Sequence, residues 1–363
     1  MLFSEDLGHF NPATVTADTH AVADALGPRL EAVACGNEPN LFAGSGLRPA
    51  GYSLAQYLPE ADTCLDTVHA AVPAVALAGP DLDPQGWLAP YARHERGRLG
   101  ELTEHYYPLS DCGTHPGTIT DLLARTTATH EATTLRTASQ DAAAAHAPLR
   151  IAEANSASCS GIPAVSNTFA AALWVIDYSL LAAEHGAIGV NFHSALSPAC
   201  AAYSPLCPTS PGHYTPRPMF YGLLALHLLG TGRLLPLHTV TDQNIAAHAV
   251  RAPDGTLHLL VENLGPDHLS TLLATGTDAN TAQVSWLSAP AVDATTGATL
   301  QGAAVNDDGR FTPGPAPTLP CLDGNCSLQL PPYTAALLTL QPGHSGLEGP
   351  GPRTTARSHL RTR

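Results

Sequence analysis

The chain contains no lysine and little charge of any kind, and both shortages restrict what it does. All 16 basic residues are arginines, set against 31 acidic ones, for a formal net charge of −15. No basic stripe interrupts the main body, which argues against a surface that tracks nucleic-acid phosphates. Charged residues make up 13% and apolar residues 44% of the 363 positions, with a mean hydropathy of +0.01. That balance belongs to a globular chain able to bury a sizeable core. No apolar run reaches the roughly eighteen residues that a membrane span requires. Paired Cys-x-x-Cys units are absent, and none of the 18 histidines falls in a His-Glu-x-x-His helix, so neither a metal nor a cofactor is expected. The opening Met1-Leu-Phe-Ser-Glu-Asp6 lacks the basic start and apolar stretch of a signal peptide.

Eight cysteines are scattered along the chain. Cys200 with Cys207 and Cys321 with Cys326 are close enough in sequence to close small loops as disulfides, which would suit an exported protein; Cys35, Cys64, Cys112 and Cys159 suggest no pairing. The competing reading is eight free thiols.

Up to about residue 230, short apolar runs alternate with longer Ala/Leu-rich segments, as in βα units around a parallel sheet. Strands are expected at 30–35, 72–78, 102–107, 149–152 and 187–192, and helices at 16–26, 118–125, 131–145, 168–185 and 218–229. Gly27 and Gly186 close two of those helices, and Pro218 opens the last. Past Gly232 the pattern changes to short strands, at 234–240, 245–250, 257–263, 282–287, 291–293, 328–330 and 335–340, separated by Asp-Gly and Gly-Pro turns. These predict an all-β sandwich over 231–342. From Gly343 the chain is Gly/Pro-rich and then basic, which reads as a disordered tail over 343–363.

Two glutamates follow apolar runs, Glu38 in Gly36-Asn-Glu-Pro39 and Glu153 in Ile151-Ala-Glu-Ala-Asn155. If both runs are strands of one barrel, both carboxyls stand at the rim where paired carboxylates cleave glycosidic bonds. A general acid needs such a half-solvated position, and Asn37 beside Glu38 is placed to bond a sugar hydroxyl. Between them lies Glu104-His105-Tyr106-Tyr107-Pro108, where a tyrosine hydroxyl would hold a neighbouring carboxylate ionised. His193, at the end of Asn191-Phe192-His193, lines the same rim or is an ordinary satisfied polar group. Taken singly, each glutamate is weak evidence, since a glutamate on an exposed loop is usually only solvated surface.

Gly36-Asn-Glu-Pro39, His105-Tyr-Tyr107, Glu153-Ala-Asn-Ser156, the run from Gly161 to Trp174, Val190-Asn-Phe-His193 and Arg217-Pro-Met-Phe-Tyr-Gly222 occur in this order. In that order they resemble glycoside hydrolase family 79, the β-glucuronidases and heparanase, among the clan A retaining glycosidases. The resemblance covers about residues 7–342 and implies a (β/α)8 TIM barrel followed by a β-domain, a carbohydrate substrate and an extracellular setting. It further implies Glu38 as acid/base, Glu153 as nucleophile, and His105 and Tyr107 as substrate-site groups. Where glucuronate-binding members carry Tyr-Gly-Gly, this chain has Ser158-Cys159-Ser160, so Ser158 and Ser160 take that place. A second rim tyrosine is expected to be Tyr203 or Tyr214.

The resemblance also implies that Met1 falls mid-barrel, leaving about strands 4 to 8 as an open five-stranded sheet whose edges invite a partner. The expectation is therefore a retaining β-glucuronidase-like hydrolase over residues 1–230, with weak or no turnover by this chain alone. The alternatives are a carbohydrate-binding remnant and a hydrolase of neutral β-glycosides.

Overall fold

The computed structural model describes residues 1–82, 86–195, 199–239, 241–306 and 308–342. The expected basic tail lies outside them. In chain order the first part runs β1 (Leu2–Glu5), α1 (Pro12–Leu26), β2 (Ala32–Cys35), α2 (Leu54–Ala71), β3 (Ala76–Gly79), α3 (Leu88–His94) and β4 (Glu101–Tyr106). There follow β5 (Leu109–Ser110), α4 (Ile119–Leu122), α5 (Arg125–Ala145), β6 (Leu149–Ala154), β7 (Ala157–Ser158), α6 (Phe169–Glu184) and β8 (Ala187–Phe192), then the hairpin β9 (Leu206–Ser210) and β10 (His213–Pro216), and α7 (Pro218–Leu229).

Strands β1, β2, β3, β4, β6 and β8 form one parallel sheet in that order, with helices between them. This is an incomplete TIM barrel with one strand more than expected. β1 gives little sequence signal, because it is only four residues long and only Glu5 in it is fully buried. Alternation sorts β2 and β3 by face. Val33, Cys35 and Leu77 join the main core under the helices, while Ala32, Ala34 and Ala78 pack together on the other face.

Helix α2 is unanticipated, because Pro59 lies inside it and reads as a breaker. Ser53 starts it with a capping box on Gln56, and Tyr57, Ala61, Cys64, Leu65 and Val68 form its buried face. A disulfide from Cys64 to Cys35 fixes α2 to the end of β2, three residues ahead of Glu38. The segment 291–293, expected as a strand, is not one. The carbonyls of Val292 and Ala294 accept the N–H groups of Ala170 and Phe169, so this stretch satisfies the free first turn of α6.

The remaining strands are β11 (Arg233–Leu235), β12 (Ile245–Arg251), β13 (Leu257–Asn263), β14 (Leu269–Ala274), β15 (Thr281–Ser288), β16 (Thr299–Leu300), β17 (Thr318–Leu322), β18 (Asn325–Leu330) and β19 (Thr334–Leu340). They make one antiparallel nine-stranded sheet. Val250, Leu260, Leu287 and Leu337 belong to the same core as α6 and α7. Leu259, Val261, Val284, Leu328, Leu330 and Leu338 build a second core, as the sheet folds over itself through β14 and β18 in a sandwich-like arrangement. No helix of the described residues is long and apolar enough to cross a membrane.

Candidate active site

Parallel strands deliver their C-terminal ends to one side of the sheet, and four of them carry polar groups there. Glu38 follows β2, His105 is the last but one residue of β4 and Tyr107 lies just beyond that strand, Glu153 lies near the end of β6, and His193 follows β8. The β4–β6 register skips Ala152, passing from Glu104↔Ile151 to His105↔Glu153. A bulge of this kind re-aims a side chain, and here it sets Glu153 level with His105.

Glu38 is held in the left-handed region at φ 50°, ψ 54°. For a residue with a Cβ this costs about 1–2 kcal/mol and requires support from its surroundings. The Glu38 N–H donates to the Asp81 carbonyl at 2.7 Å, and the next carbonyl, of Leu82, accepts the His105 N–H at 2.9 Å. One short loop therefore ties both residues down. The His105 ring is buried, with Nδ1 3.3 Å from Glu38 Oε1. Burial opposes its protonation, yet the Glu38 bond and the charges of Glu153 and Asp81 prevail and raise its pKa above the ordinary histidine value.

Tyr107 donates its hydroxyl to Glu153 Oε1 at 2.6 Å, and His193 Nδ1 lies 3.1 Å from the same oxygen and 2.9 Å from the tyrosine hydroxyl. Burial pushes the Glu153 carboxyl up, but the His193 bond, the charge of His105 and the Tyr107 bond together hold it at about 2. Burial and the bond to Glu153 raise Tyr107, so it stays a donor. His193 is raised chiefly by its bond to Glu153. One carboxylate oxygen each from Glu38 and Glu153, with a ring nitrogen of His105, lie within 4.8 Å of one another.

These groups line an open cavity of about 880 Å³, together with Ser158, Ser160 and Tyr203. Of the expected site residues, two stand elsewhere. Tyr214 is exposed on the β9–β10 hairpin in a separate shallow groove, so Tyr203 is the tyrosine at this rim. The Asn37 side chain is exposed on the turn before Glu38 and does not line the cavity. His193 contributes more than its sequence context reveals. The cavity also takes in His130 and Thr134 of α5 and the Cys112–Cys159 disulfide, none of which carried a sequence signal. A second cavity of about 440 Å³ between β12, β13 and β14 is lined mainly by leucine, isoleucine, valine, alanine and threonine and holds no comparable set of ionisable groups.

No family model and no curated protein sequence matches the chain. Solved structures do. Its fold is that of the TIM-barrel glycosidases. A 4-O-α-L-rhamnosyl-β-D-glucuronidase from Fusarium oxysporum 12S is similar at TM-score 0.81 and 19% identity, over 93% of this chain and 76% of that one. A bifunctional glucanase-xylanase from a metagenome library matches at TM-score 0.68 and 13% identity, over 92% and 70% of the two chains. A GH51 arabinofuranosidase from Xanthomonas axonopodis pv. citri matches at 0.66 and 13%, over 93% and 75%.

Proposed function

We propose that this chain is a retaining β-glycosidase whose preferred substrates are β-glucuronides and that, against the expectation of weak or no turnover, it is active as it stands, because both carboxylates and their hydrogen-bond partners are in place. The observation that carries this reading is the spacing of the two carboxylates, with oxygens within 4.8 Å. Retaining pairs stand about 5–5.5 Å apart, whereas inverting pairs stand about 6.5–9.5 Å apart to admit a water molecule. Glu38 protonates the glycosidic oxygen as Glu153 attacks the anomeric carbon, giving a glycosyl ester and the free aglycone. Glu38 then takes a proton from water, which attacks the same carbon and releases Glu153. Tyr107 and His193 both hold Oε1, so Oε2 is the oxygen presented to the sugar.

The difference between the two carboxyls fits these roles. Glu153 is held ionised for attack, while Glu38 is bonded to a single histidine. The glucuronidase neighbour and the ordered motifs around Glu38 and Glu153 favour a uronate. A neutral β-glycoside is the second reading, favoured by Ser158-Cys159-Ser160 and by the lack of arginine among the described residues that line the cavity. On the first reading, the backbone amides of the Ser158–Gly161 turn receive the sugar carboxylate. Export is part of the same proposal, supported by the pairing of all eight cysteines as disulfides.

The test is a panel of 4-nitrophenyl glycosides. Preferential release from the β-glucuronide supports the main reading, preference for β-glucoside or β-galactoside supports the second, and no release from any of them rejects both.

A further inference from the structure

We infer that the Cys112–Cys159 disulfide is a positioning element of this site, bracing the wall that keeps His193 against Glu153. The catalytic consequence rests on the glycosidase reading; the bracing itself does not.

Past the rim, the chain segments leaving β4 and β6 meet again in the two-residue parallel pair β5–β7, with Leu109 opposite Ala157 and Ser110 opposite Ser158. So short a ladder is weak by itself. It is reinforced by the Ser158 hydroxyl, which donates to Ser110 Oγ at 2.9 Å, and by the Cys112 N–H, which donates to the same Ser110 oxygen at 3.1 Å. The disulfide closes immediately beyond, with the two Cα atoms 5.5 Å apart.

The segment it holds is conformationally expensive. Cys159, Ser160 and Gly161 are three successive residues with positive φ, at 57°, 73° and 80°. The first two carry a Cβ, and such residues rarely adopt this region without external restraint. From this turn the contacts run inward. Ser160 and Tyr203 stand together in the cavity wall. Gly161 presses so closely on the Tyr203 backbone that a Cβ there would lie 2.8 Å from its nitrogen. The Tyr203 ring packs at a tilt of 37° against His193 with centroids 5.0 Å apart, and His193 Nδ1 reaches Glu153. Asn155 ties the other side, donating to the His193 carbonyl at 2.8 Å and to the Tyr203 carbonyl at 3.4 Å. A covalent bond at the rim is thus linked by a short chain of contacts to the oxygen that Tyr107 and His193 share.

Accessibility makes the inference testable. Cys112 and Cys159 are both exposed, whereas Cys35, Cys64, Cys321 and Cys326 are buried and Cys200 and Cys207 are half-buried. A mild dithiol under native conditions therefore reaches Cys112–Cys159 first. Its thiolate attacks one sulfur, the protein is left with two thiols, and the reagent leaves as a cyclic disulfide.

The intact protein is treated with dithiothreitol without denaturant, the opened pair is mapped by alkylation and mass spectrometry, and a Cys112→Ser/Cys159→Ser variant is measured alongside. Two readouts are taken: kcat/KM on an aryl β-glucuronide, and the NMR titration of the His193 ring, assigned with a His193→Gln variant. Opening this one bond is expected to lower kcat/KM about tenfold or more and to move the His193 titration toward the ordinary histidine value, with far-UV circular dichroism unchanged and both effects reversed on reoxidation. An opened Cys112–Cys159 pair with kcat/KM within about twofold of the oxidised protein and an unmoved His193 titration overturns the inference. If the oxidised protein cleaves no glycoside, the proposed function fails, and the His193 titration alone decides whether the disulfide braces the wall.

Discussion

Tyr107 donates its hydroxyl to Glu153 Oε1 over 2.6 Å, and the two residues come from neighbouring parallel strands whose register is shifted by a bulge beside Glu153. This bond stabilises the ionised carboxylate in a half-buried position. A hydrogen bond to a charged group contributes about 1.5–3 kcal/mol. Tyr107→Phe is accordingly expected to lower kcat on an aryl β-glucuronide by about tenfold to a hundredfold, with a smaller effect on KM. Steady-state kinetics at saturating substrate measure it, and an unchanged kcat would contradict the role given to the tyrosine.

The low pKa of Glu153 has a stability consequence. Its folded value of about 2 lies below the unfolded range, so its ionised form stabilises the fold above about pH 4.3, and this contribution is lost as pH falls through about 2. Wild type and Glu153→Gln compared by urea unfolding should therefore differ by less at pH 2.5 than at pH 6. Equal differences at both pH values would mean that His193, Tyr107 and His105 do not hold the carboxylate down.

A second titrating cluster joins the barrel helices to the β-sheet. His248 on β12 is buried between Asp177 and Glu184 of α6, with its ring nitrogens 2.9 and 2.8 Å from their oxygens. Burial opposes its charge, but the two carboxylates push it up to about 10. Glu262 on β13 shares this setting; burial first, then the charge of Asp177, raises it well above the carboxylate range. The histidine's contribution is complete below about pH 6.5 and lost as pH rises through about 10. Breaking a buried pair costs about 3–5 kcal/mol. His248→Gln should lower the melting temperature markedly at pH 6 and much less at pH 10, and a pH-independent shift in calorimetry would refute the charged state.

Close helix packing supplies a fourth prediction. Gly222 of α7 faces α6 so closely that a Cβ there would meet the Ala172 carbonyl oxygen and Val175 Cγ1 at 2.5 Å or less. Gly222→Ala is expected to cost about 1–3 kcal/mol in denaturant unfolding, despite alanine's better helix propensity. A stabilised variant would show that the helices separate freely.

Much of the site could be read from the sequence because strand ends leave local marks. Glu38, His105, Tyr107 and Glu153 all stand at or just past the ends of runs read as strands, and those runs proved to lie in one parallel sheet. What escaped depends on contacts distant in sequence. The pairing of Cys35 with Cys64 and of Cys112 with Cys159 spans 29 and 47 residues, and no local pattern selects it. Tyr203 and Tyr214 look equivalent in sequence, yet one packs against His193 and the other is exposed on a hairpin. Helix α2 was masked by Pro59, whose lost hydrogen bond is offset by five buried side chains on one face. β14 and β17 gain their order from pairing with β18 and β15 rather than from strong strand propensity of their own.

In the proposed reaction Glu153 attacks the sugar while Glu38 handles the proton. Incubation with a 2-deoxy-2-fluoro-β-glucuronyl fluoride, followed by intact-mass and peptide mass spectrometry, tests it most directly. One fluoroglucuronyl adduct is expected, on the peptide containing Glu153, with turnover of the aryl glucuronide abolished in proportion to labelling. Turnover of the aryl glucuronide with inverted anomeric product, or an adduct on any other carboxylate, would contradict it.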